Sequence, residues 1–225
     1  LILDASASSG VRTFCYFSSA GVYGTPRPGP VTEETQCDPL TEYQKTKYVG
    51  EHLVRGFSDA GKLRTIVVRP TIVFGEGKNQ SSVFFFKLMT AIRDGRFLFF
   101  GNKGVANFVY VGDLVEACLF LVEHASKSHE VCLVSDPVSM AEFVGFAADS
   151  LHVARPRISV PVWLAYAVAG ILQMGNLVFK TSVPVTSTGV RALSCESMFL
   201  PKKLREEYHF IFPFGSQRGL KQTVQ

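Results

Sequence analysis

A Tyr-x-x-x-Lys spacing at the start of a predicted helix constrains this chain more than any other feature, because the helix is flanked by two predicted strands. The helix covers about 41–60, with Tyr43 and Lys47 near its beginning. Residues four apart lie on one face of a helix, so the phenol and the ammonium can point into the same space. A fixed positive charge near a phenol favours the phenolate, which suits proton transfer. An exposed amphipathic helix is the alternative interpretation of the same spacing.

The strands on either side of this helix end in further motifs. Upstream, 11–18 has the apolar, aromatic-rich character of a buried parallel strand and leads into Ser-Ser-Ala-Gly-Val-Tyr-Gly at 18–24. Downstream, the strand predicted over 62–69 leads into Arg-Pro-Thr-Ile-Val-Phe-Gly at 69–75. Ligands bind beyond the carboxyl ends of strands in open α/β sheets, which places Ser19 where a substrate hydroxyl could be met.

In this order and spacing, the three motifs resemble the extended short-chain dehydrogenase/reductase superfamily, which includes sugar-nucleotide epimerases and 3β-hydroxysteroid dehydrogenases. The resemblance implies an α/β fold: the C-terminal half of a Rossmann-type doubly wound parallel sheet, with a smaller α/β substrate lobe. We expect 1–80 to be the C-terminal part of the dinucleotide-binding domain. We expect 81–225 to be mostly the substrate-binding lobe, with 107–134 returning to the core domain.

The resemblance also implies a role for each side chain of the site. Ser19 would hydrogen-bond the reacting oxygen of the substrate, with Ser18 as its neighbour, and Tyr43 would exchange a proton with that oxygen. Lys47 would stabilise the phenolate and hold the nicotinamide ribose. The alternative for the two serines is that they satisfy backbone groups at a strand end. The expected catalytic residues are Ser19, Tyr43 and Lys47.

A cofactor, NAD or NADP, is implied together with its contacts. In the family, the backbone of the turn after the second strand contacts the nicotinamide amide, an interaction that depends on chain path more than on side chains. Arg69, just before this turn, could alternatively be a simple surface charge. The expected cofactor-binding residues are Tyr43, Lys47, Pro70, Thr71, Ile72 and Val73.

The turn that binds the pyrophosphate is not recognisable in the sequence. Such a turn is a glycine cluster that follows a strand and opens a helix, whereas 75–77 and 101–104 are interpreted as loop and hairpin turns. The chain also begins without methionine, inside an apparent helix at 1–9. We therefore expect a fragment that lacks the first strands, binds cofactor poorly and exposes a sheet edge. The choice between NAD and NADP would be determined in the missing part.

Composition excludes some classes of protein. The net charge is +4, and the 23 basic residues are interspersed with 19 acidic ones, so we expect no nucleic-acid partner. The five cysteines are widely spaced without a Cys-x-x-Cys pair, and the histidines show no ligand-like spacing. A reducing, cytoplasmic location and no structural metal are expected.

The run 160–179 is apolar and carries no charge. Its length would suffice to cross a bilayer, with Trp163 and Lys180 at its ends, although Pro161 and Gln173 weaken that interpretation. Three interpretations stay open: a buried helix of the substrate lobe, an interfacial helix that makes peripheral membrane contact, and a true span. An apolar helix after a proline resembles the steroid dehydrogenase branch more than the sugar-nucleotide branch.

Local signals predict several elements of the second half. Asp113 is a good N-cap for the helix that follows it, and Ser139 with Glu142 forms a capping box. The seven phenylalanines between Phe84 and Phe108 are better explained by core packing than by an apolar substrate pocket. A last surface helix is expected over 215–224.

Taken together, the motifs predict an NAD(P)-dependent oxidoreductase that oxidises a secondary alcohol, with a 3β-hydroxysteroid or sterol-like molecule as the favoured small-molecule substrate. The alternative is a nucleotide-sugar epimerase or dehydratase that uses the same triad. A second alternative is a non-catalytic regulatory or binding module with the same fold. The resemblance leaves a homodimer open.

Overall fold

The computed structural model describes residues 1–25, 28–77, 83–179 and 186–224, with the side chains of 83, 173–179 and 188 outside the description. The helices are α1 (Ile2–Ser8), α2 (Glu42–Asp59), α3 (Val83–Arg93), α4 (Val111–His124), α5 (Met140–Ser150), α6 (Val162–Phe179), α7 (Ser187–Ser194) and α8 (Gly215–Val224). The strands are β1 (Thr13–Phe17), β2 (Gly29–Val31), β3 (Arg64–Pro70), β4 (Ile72–Phe74), β5 (Phe99–Phe100), β6 (Val105–Tyr110), β7 (His129–Val134), β8 (Asp136–Ser139), β9 (Ser159–Val160) and β10 (Ser197–Phe199).

A parallel sheet in the order β1-β3-β7 forms the first half of the core. The central strand β3 is buried because helices cover both of its faces, as expected for a parallel sheet. Its residues alternate: Ile66 and Val68 pack with Leu114 and Leu121 of α4, whereas Arg69 points toward α2. β1 is only half-buried, contrary to the expectation of a buried strand, because its second edge has no strand partner in the described residues.

Helix α2 begins where the sequence predicts. Thr41 is its N-cap: the Gln44 amide donates to Thr41 Oγ1 (3.3 Å), and the Thr41 amide donates to Gln44 Oε1 (3.0 Å). The helix ends at Ala60 and is followed by Gly61 with φ of 67°. These two ends confirm the helix predicted over 41–60 and place Tyr43 in its first turn.

A second sheet continues directly from the first. β3 passes through Thr71 into β4, and β7 passes through Ser135 into β8; β6 lies between, parallel to β4 and antiparallel to β8. The two crossings are bonded to each other, since the Thr71 amide donates to the Val134 carbonyl (3.1 Å) and the Thr71 hydroxyl donates to Ser135 Oγ (3.2 Å). Short parallel pairs, β2 with β10 and β5 with β9, complete the strands.

The phenylalanine-rich segment packs mainly into the core, as predicted. Phe97 and Phe108 are buried, and Phe108 stacks on Phe143 of α5 with ring centroids 4.4 Å apart. Phe86 is the exception in this segment, because its side chain is 45% exposed.

Two local predictions in this half are wrong. α4 already begins at Val111, so Asp113 lies inside its first turn; its buried carboxylate instead accepts from the amides of Phe214 and Gly215, both at 2.9 Å, at the start of α8. Burial raises the pKa of Asp113. The turn at 101–104 is not a hairpin, because β5 and β6 belong to different sheets. The capping box of Ser139 is confirmed.

Helix α6 is attached to the protein along a narrow seam. Ala165 and Ala169 are buried against Val190 of α7, whereas Trp163 and Ile171 are each 71% exposed. The interpretation as a buried helix is therefore wrong for its described side chains. Among the described residues, no helix has the length and apolar character needed to cross a membrane.

A buried ion pair joins α2 to the two strands beside it. Arg69 of β3 donates to both carboxylate oxygens of Glu51, at 3.0 and 2.6 Å, and to the hydroxyl of Tyr23 at 3.0 Å; Ser18, after β1, also donates to Glu51. Burial alone would lower the pKa of Arg69, but its hydrogen bonds with Glu51 raise it, and burial raises the pKa of Tyr23 to about 12. The alternative of Arg69 as a surface charge is wrong, since the residue is 6% exposed.

We expect Arg69→Met to destabilise the fold by about 3–5 kcal/mol, because it leaves the buried Glu51 carboxylate without its cation. The free energy of unfolding in a chemical denaturant measures this loss. Glu42→Gln is the matched control: it breaks the exposed Glu42–Lys45 pair of the same helix (3.0 Å) and should cost at most about 0.5 kcal/mol. Equal effects of the two substitutions would contradict the prediction.

A second buried carboxylate, Glu130 of β7, connects the first sheet to the C-terminal segment. Lys203 donates to one of its oxygens, and the Tyr208 hydroxyl donates to the other at 2.9 Å. Burial alone would raise the pKa of Glu130, but the hydrogen bonds from Lys203 and Tyr208 outweigh it and hold the pKa below the ordinary value of 4.5.

Because the folded state binds this proton less readily than the unfolded state, the contribution of Glu130 is present above pH 4.5 and is lost as the pH falls through the lowered folded pKa. Glu130→Gln should therefore be less stable than the wild type at neutral pH, and the two stabilities should converge in acid. Unfolding free energies measured from about pH 7 down to about pH 3 test this. If the unfolding free energies of the wild type and of Glu130→Gln stayed parallel over that pH range, Glu130 would not be the group that causes the loss of stability in acid.

Candidate functional site

A cleft of about 850 Å³ lies where the carboxyl ends of β1 and β3 meet the second sheet. Its volume is within the range of small-molecule sites, and its position follows the rule for open α/β sheets. Of the residues predicted for the site, those that line the cleft are Ser19, Tyr43, Pro70, Thr71, Ile72 and Val73. Lys47 is not part of the lining.

Tyr43 reaches the cleft from the first turn of α2. The side chain is 60% exposed, and the ammonium of Lys47 lies 5.9 Å from the centre of its ring. The helical spacing thus places the two residues on one face, as the sequence predicts.

Lys47 is fixed at the end of β1. Its ammonium donates to the Phe17 carbonyl (2.8 Å) and lies 5.5 Å from the centre of the Tyr16 ring. The Tyr16 ring can approach α2 only because residue 50 is glycine: a Cβ there would lie 2.1 Å from the Tyr16 hydroxyl oxygen. The positive charge is therefore held by an aromatic ring and a backbone carbonyl, next to Tyr43.

Ser19 caps a short helix and also lines the cleft. It is the N-cap of a short 3₁₀ helix, Ala20–Tyr23, and its hydroxyl oxygen accepts from the Gly21 amide (3.0 Å). The hydroxyl hydrogen still remains able to donate into the cleft. Ser18 differs, because its hydroxyl donates to the buried carboxylate of Glu51.

Glu51 and Tyr23, which lie beneath the site, were not singled out by the sequence analysis. The signal for Glu51 was present, because Tyr43, Lys47 and Glu51 follow one another at intervals of four on one helix face. The signal for Tyr23 was weaker, since its partner Arg69 is 46 residues away in the chain.

The turn at 70–73 presents fewer free backbone groups than expected. Pro70 has no amide hydrogen, and the Thr71 amide already donates to the Val134 carbonyl. The Thr71 hydroxyl is also engaged, with Ser135. Ile72, 38% exposed, is the part of the turn most open to the cleft. A ligand at this turn would therefore contact mainly Ile72 and Val73.

The opposite wall of the cleft comes from β6 and α7. Asn107 holds this wall together, since its amide donates to the Ser197 carbonyl (2.8 Å) and its oxygen accepts from the Phe199 amide (2.9 Å). Arg191 is the one charged side chain among the described lining residues. Sequence reasoning missed it because α7 is distant in the chain from every motif.

The arrangement can perform proton transfer at a substrate oxygen. It combines a hydroxyl donor and a phenol at one end of a mostly apolar cleft with a fixed cation beside the phenol, outside the lining. Within the described ranges, no group of three or more histidine, cysteine, aspartate or glutamate side chains is placed to hold a metal ion.

Solved structures with a similar fold cover nearly the whole chain. RMD from Pseudomonas aeruginosa, complexed with NADPH, matches 99% of this chain and 69% of its own with a TM-score of 0.68 and 19% identity. UDP-glucuronic acid 4-epimerase from Bacillus cereus, in complex with NAD, matches 99% of this chain and 63% of its own with a TM-score of 0.68 and 16% identity. The predicted Rossmann-type α/β fold is confirmed.

Relatives in sequence include both branches named above. The 3β-hydroxysteroid-dehydrogenase/decarboxylase isoform 1 of Arabidopsis thaliana is 26% identical over 246 residues, which covers 99% of this chain and 55% of the plant protein. UDP-glucose 4-epimerase of Vibrio cholerae is 28% identical over 223 residues, which covers 96% of this chain and 63% of that enzyme. The chain thus spans less than two thirds of the length of either relative.

The NAD dependent epimerase/dehydratase family model matches residues 1–134, which is more than half of the chain. The matched part contains all the residues predicted for the site, and the recognition based on the three motifs is confirmed. The chain therefore belongs to the NAD-dependent epimerase/dehydratase family.

Proposed function

We propose that this chain is the catalytic part of an NAD(P)-dependent oxidoreductase that oxidises a secondary alcohol. The observation that carries the proposal is the meeting of Ser19 and Tyr43 in one cleft, with the ammonium of Lys47 fixed 5.9 Å from the Tyr43 ring. Three groups from two separate parts of the chain, Ser19 after β1 and Tyr43 with Lys47 on α2, supply a donor, a proton-transfer group and a cation at one place.

Each side chain has a distinct task in this proposal. Ser19 donates a hydrogen bond to the substrate oxygen, and Tyr43 accepts the hydroxyl proton of the alcohol during oxidation and returns it during reduction. Lys47 stabilises negative charge on the Tyr43 oxygen. Glu51 acts indirectly, because it holds Ser18 and Arg69 beneath the strand ends that carry Ser19.

The residues around the cleft fit the nicotinamide end of a dinucleotide. Tyr43, together with Lys47 beside it, would hold the ribose, while Ile72 and Val73, which line the cleft, would border the nicotinamide ring. The bound cofactor supplies the acceptor or donor of hydride. Pro70 and Thr71 would support the turn rather than bind, because neither has a free amide hydrogen.

A sterol-like substrate is favoured by the lining of the cleft. Besides the groups above, its walls are largely apolar, and the apolar lining side chains that are not fully buried include Leu40, Phe84 and Val105. A fused apolar ring system would bury its surface against these side chains, whereas a sugar would leave them without a complementary partner. The similarity to the plant 3β-hydroxysteroid-dehydrogenase/decarboxylase, over 99% of this chain, supports the same choice.

A nucleotide-sugar epimerase or dehydratase is the second candidate, and Arg191 is the observation that favours it. A single cation in an apolar cleft is suited to an anionic group such as a diphosphate. The similarity to UDP-glucose 4-epimerase of Vibrio cholerae, over 96% of this chain, agrees with this candidate. A non-catalytic binding module with the same fold is the third candidate.

We expect Tyr43→Phe to lower kcat for hydride transfer by about 10²–10⁴-fold, because the phenylalanine keeps the ring but cannot move the proton. The assay follows the nicotinamide absorbance in the full-length protein with a 3β-hydroxysterol and, separately, with a UDP-hexose. Tyr48→Phe is the matched control, since Tyr48 lies on the same helix but packs against His52 outside the cleft.

Activity with the sterol that is lost in Tyr43→Phe and kept in Tyr48→Phe would support the proposal. Activity with the sugar alone would move the protein to the epimerase branch. Cofactor binding without turnover of either substrate would support the non-catalytic module and contradict the catalytic proposal.

Arg191→Met separates the two substrate classes. If the substrate carries a diphosphate, the loss of a charged hydrogen-bond donor should raise KM by about 10-fold to 100-fold with kcat little changed. If the substrate is an uncharged sterol alcohol, KM should change less than about threefold. Steady-state kinetics with both substrates decide between the outcomes, and a fall in kcat alone would contradict both assignments.

A further inference from the structure

The exposed face of α6 is formed by large apolar side chains. Trp163 and Ile171 are each 71% exposed, and the remaining members of the face are between 36% and 41% exposed. We call this surface the α6 face; its residues are Trp163, Leu164, Tyr166, Val168, Ile171 and Leu172. Scattered single apolar residues are normal on a protein surface, whereas a contiguous patch on one helix indicates an interaction site.

The way α6 is attached leaves the α6 face exposed, as far as the described residues show. Among the described side chains of α6, Ala165 and Ala169 are the buried ones, against Val190 of α7 and the ends of β5 and β9. Two small side chains allow the helix to lie close to the protein while its large residues point away from it.

The net positive charge of the chain lies in the sequence segment that contains this helix, although Arg155 pairs with Asp149 (2.6 Å) and Arg191 lines the cleft. Residues 150–195 contain no aspartate or glutamate and four basic residues, Arg155, Arg157, Lys180 and Arg191. Removing these four from the 23 basic residues of the chain leaves 19, equal to the 19 acidic residues. The entire net charge of +4 therefore comes from the segment that contains α6.

Two of the nearby cations lie beside the start of α6. Arg157 directly precedes the exposed Ile158 and β9, and the turn that carries Lys103 approaches α6 closely, since a Cβ on Gly101 would lie 3.0 Å from a methyl group of Val162. Across the described part of the chain, neither Arg157 nor Lys103 forms an ion pair with an acidic side chain. Unpaired positive charge from the exposed Arg157 and Lys103 thus lies near the start of α6.

We propose that the α6 face docks onto the surface of a membrane that contains anionic lipid. The apolar side chains would enter the boundary between head groups and acyl chains, where Trp163 and Tyr166 are suited to an environment that is apolar on one side and wet on the other. Arg157 and Lys103 would lie near the anionic head groups. The inference does not depend on the proposed catalytic function, because it concerns a surface outside the cleft.

A second copy of the chain fits the same surface less well. The α6 face of a second copy would offer no acidic side chain from 150–195 to the exposed Arg157 of its partner, whichever way the two helices were arranged. Anionic lipid provides the opposite charge. The charge pattern therefore favours the lipid surface over self-association.

The test measures co-sedimentation of the protein with phosphatidylcholine vesicles, with and without phosphatidylserine. We expect binding that is stronger when phosphatidylserine is present and that weakens at high salt. Trp163→Ser and Ile171→Ser should each lower the partition coefficient by about tenfold, because each removes a large apolar side chain that is already exposed in the free protein. Arg157→Glu should weaken the dependence on phosphatidylserine, because Lys103 then remains as the one cation of the pair.

Leu53→Ser is the matched control, because Leu53 of α2 is also apolar and 60% exposed but lies outside the α6 face. Its binding to vesicles should equal that of the wild type. The proposal is overturned if the wild type does not bind vesicles, or if Leu53→Ser reduces binding as much as Trp163→Ser. It is also overturned if light scattering shows a dimer that Trp163→Ser dissociates while vesicle binding is absent, since the occupant would then be a second copy.

Discussion

The ion pair between Arg69 and Glu51 connects the elements on which the site depends. It joins β3 to α2, and through Ser18 and Tyr23 it reaches the segment that follows β1. A buried pair of this kind is stable only when its remaining hydrogen-bonding groups are satisfied, which the serine and the tyrosine achieve. The positions of α2 and of both strand ends are therefore coupled, and Ser19 and Tyr43 are held across one cleft as a consequence.

The site combines two side chains that are fixed by hydrogen bonds with one that is exposed. Lys47 is fixed by the Phe17 carbonyl and the Tyr16 ring, and Ser19 is fixed by its cap on the 3₁₀ helix, so only Tyr43 is largely exposed. A proton-transfer group that is exposed next to a fixed cation can meet a substrate oxygen without rearrangement of its neighbours. The two candidate substrate classes differ in their expected contact with the opposite wall, because Arg191 suits a diphosphate and not an uncharged sterol.

Sequence predicted the features that depend on local signals. The start of α2 follows from the capping box of Thr41, and the shared face of Tyr43 and Lys47 follows from helical spacing. The sequence failed where a partner is distant: Asp113 caps a helix about 100 residues later, and Arg69 is buried by groups from other elements. Apolar composition also could not show which side of α6 would be covered, because the whole run is uncharged.

The paired crossings at Thr71 and Ser135 have a mechanical consequence. Two neighbouring strands, β3 and β7, leave the first sheet together and enter the second on either side of β6, and the Thr71 hydroxyl and amide tie them together at the crossing. A rotation of one sheet relative to the other would have to bend both strands at once and break these bonds. We therefore expect the two sheets under the cleft to move together, so that a change in the width of the cleft would involve the wall that α7 forms.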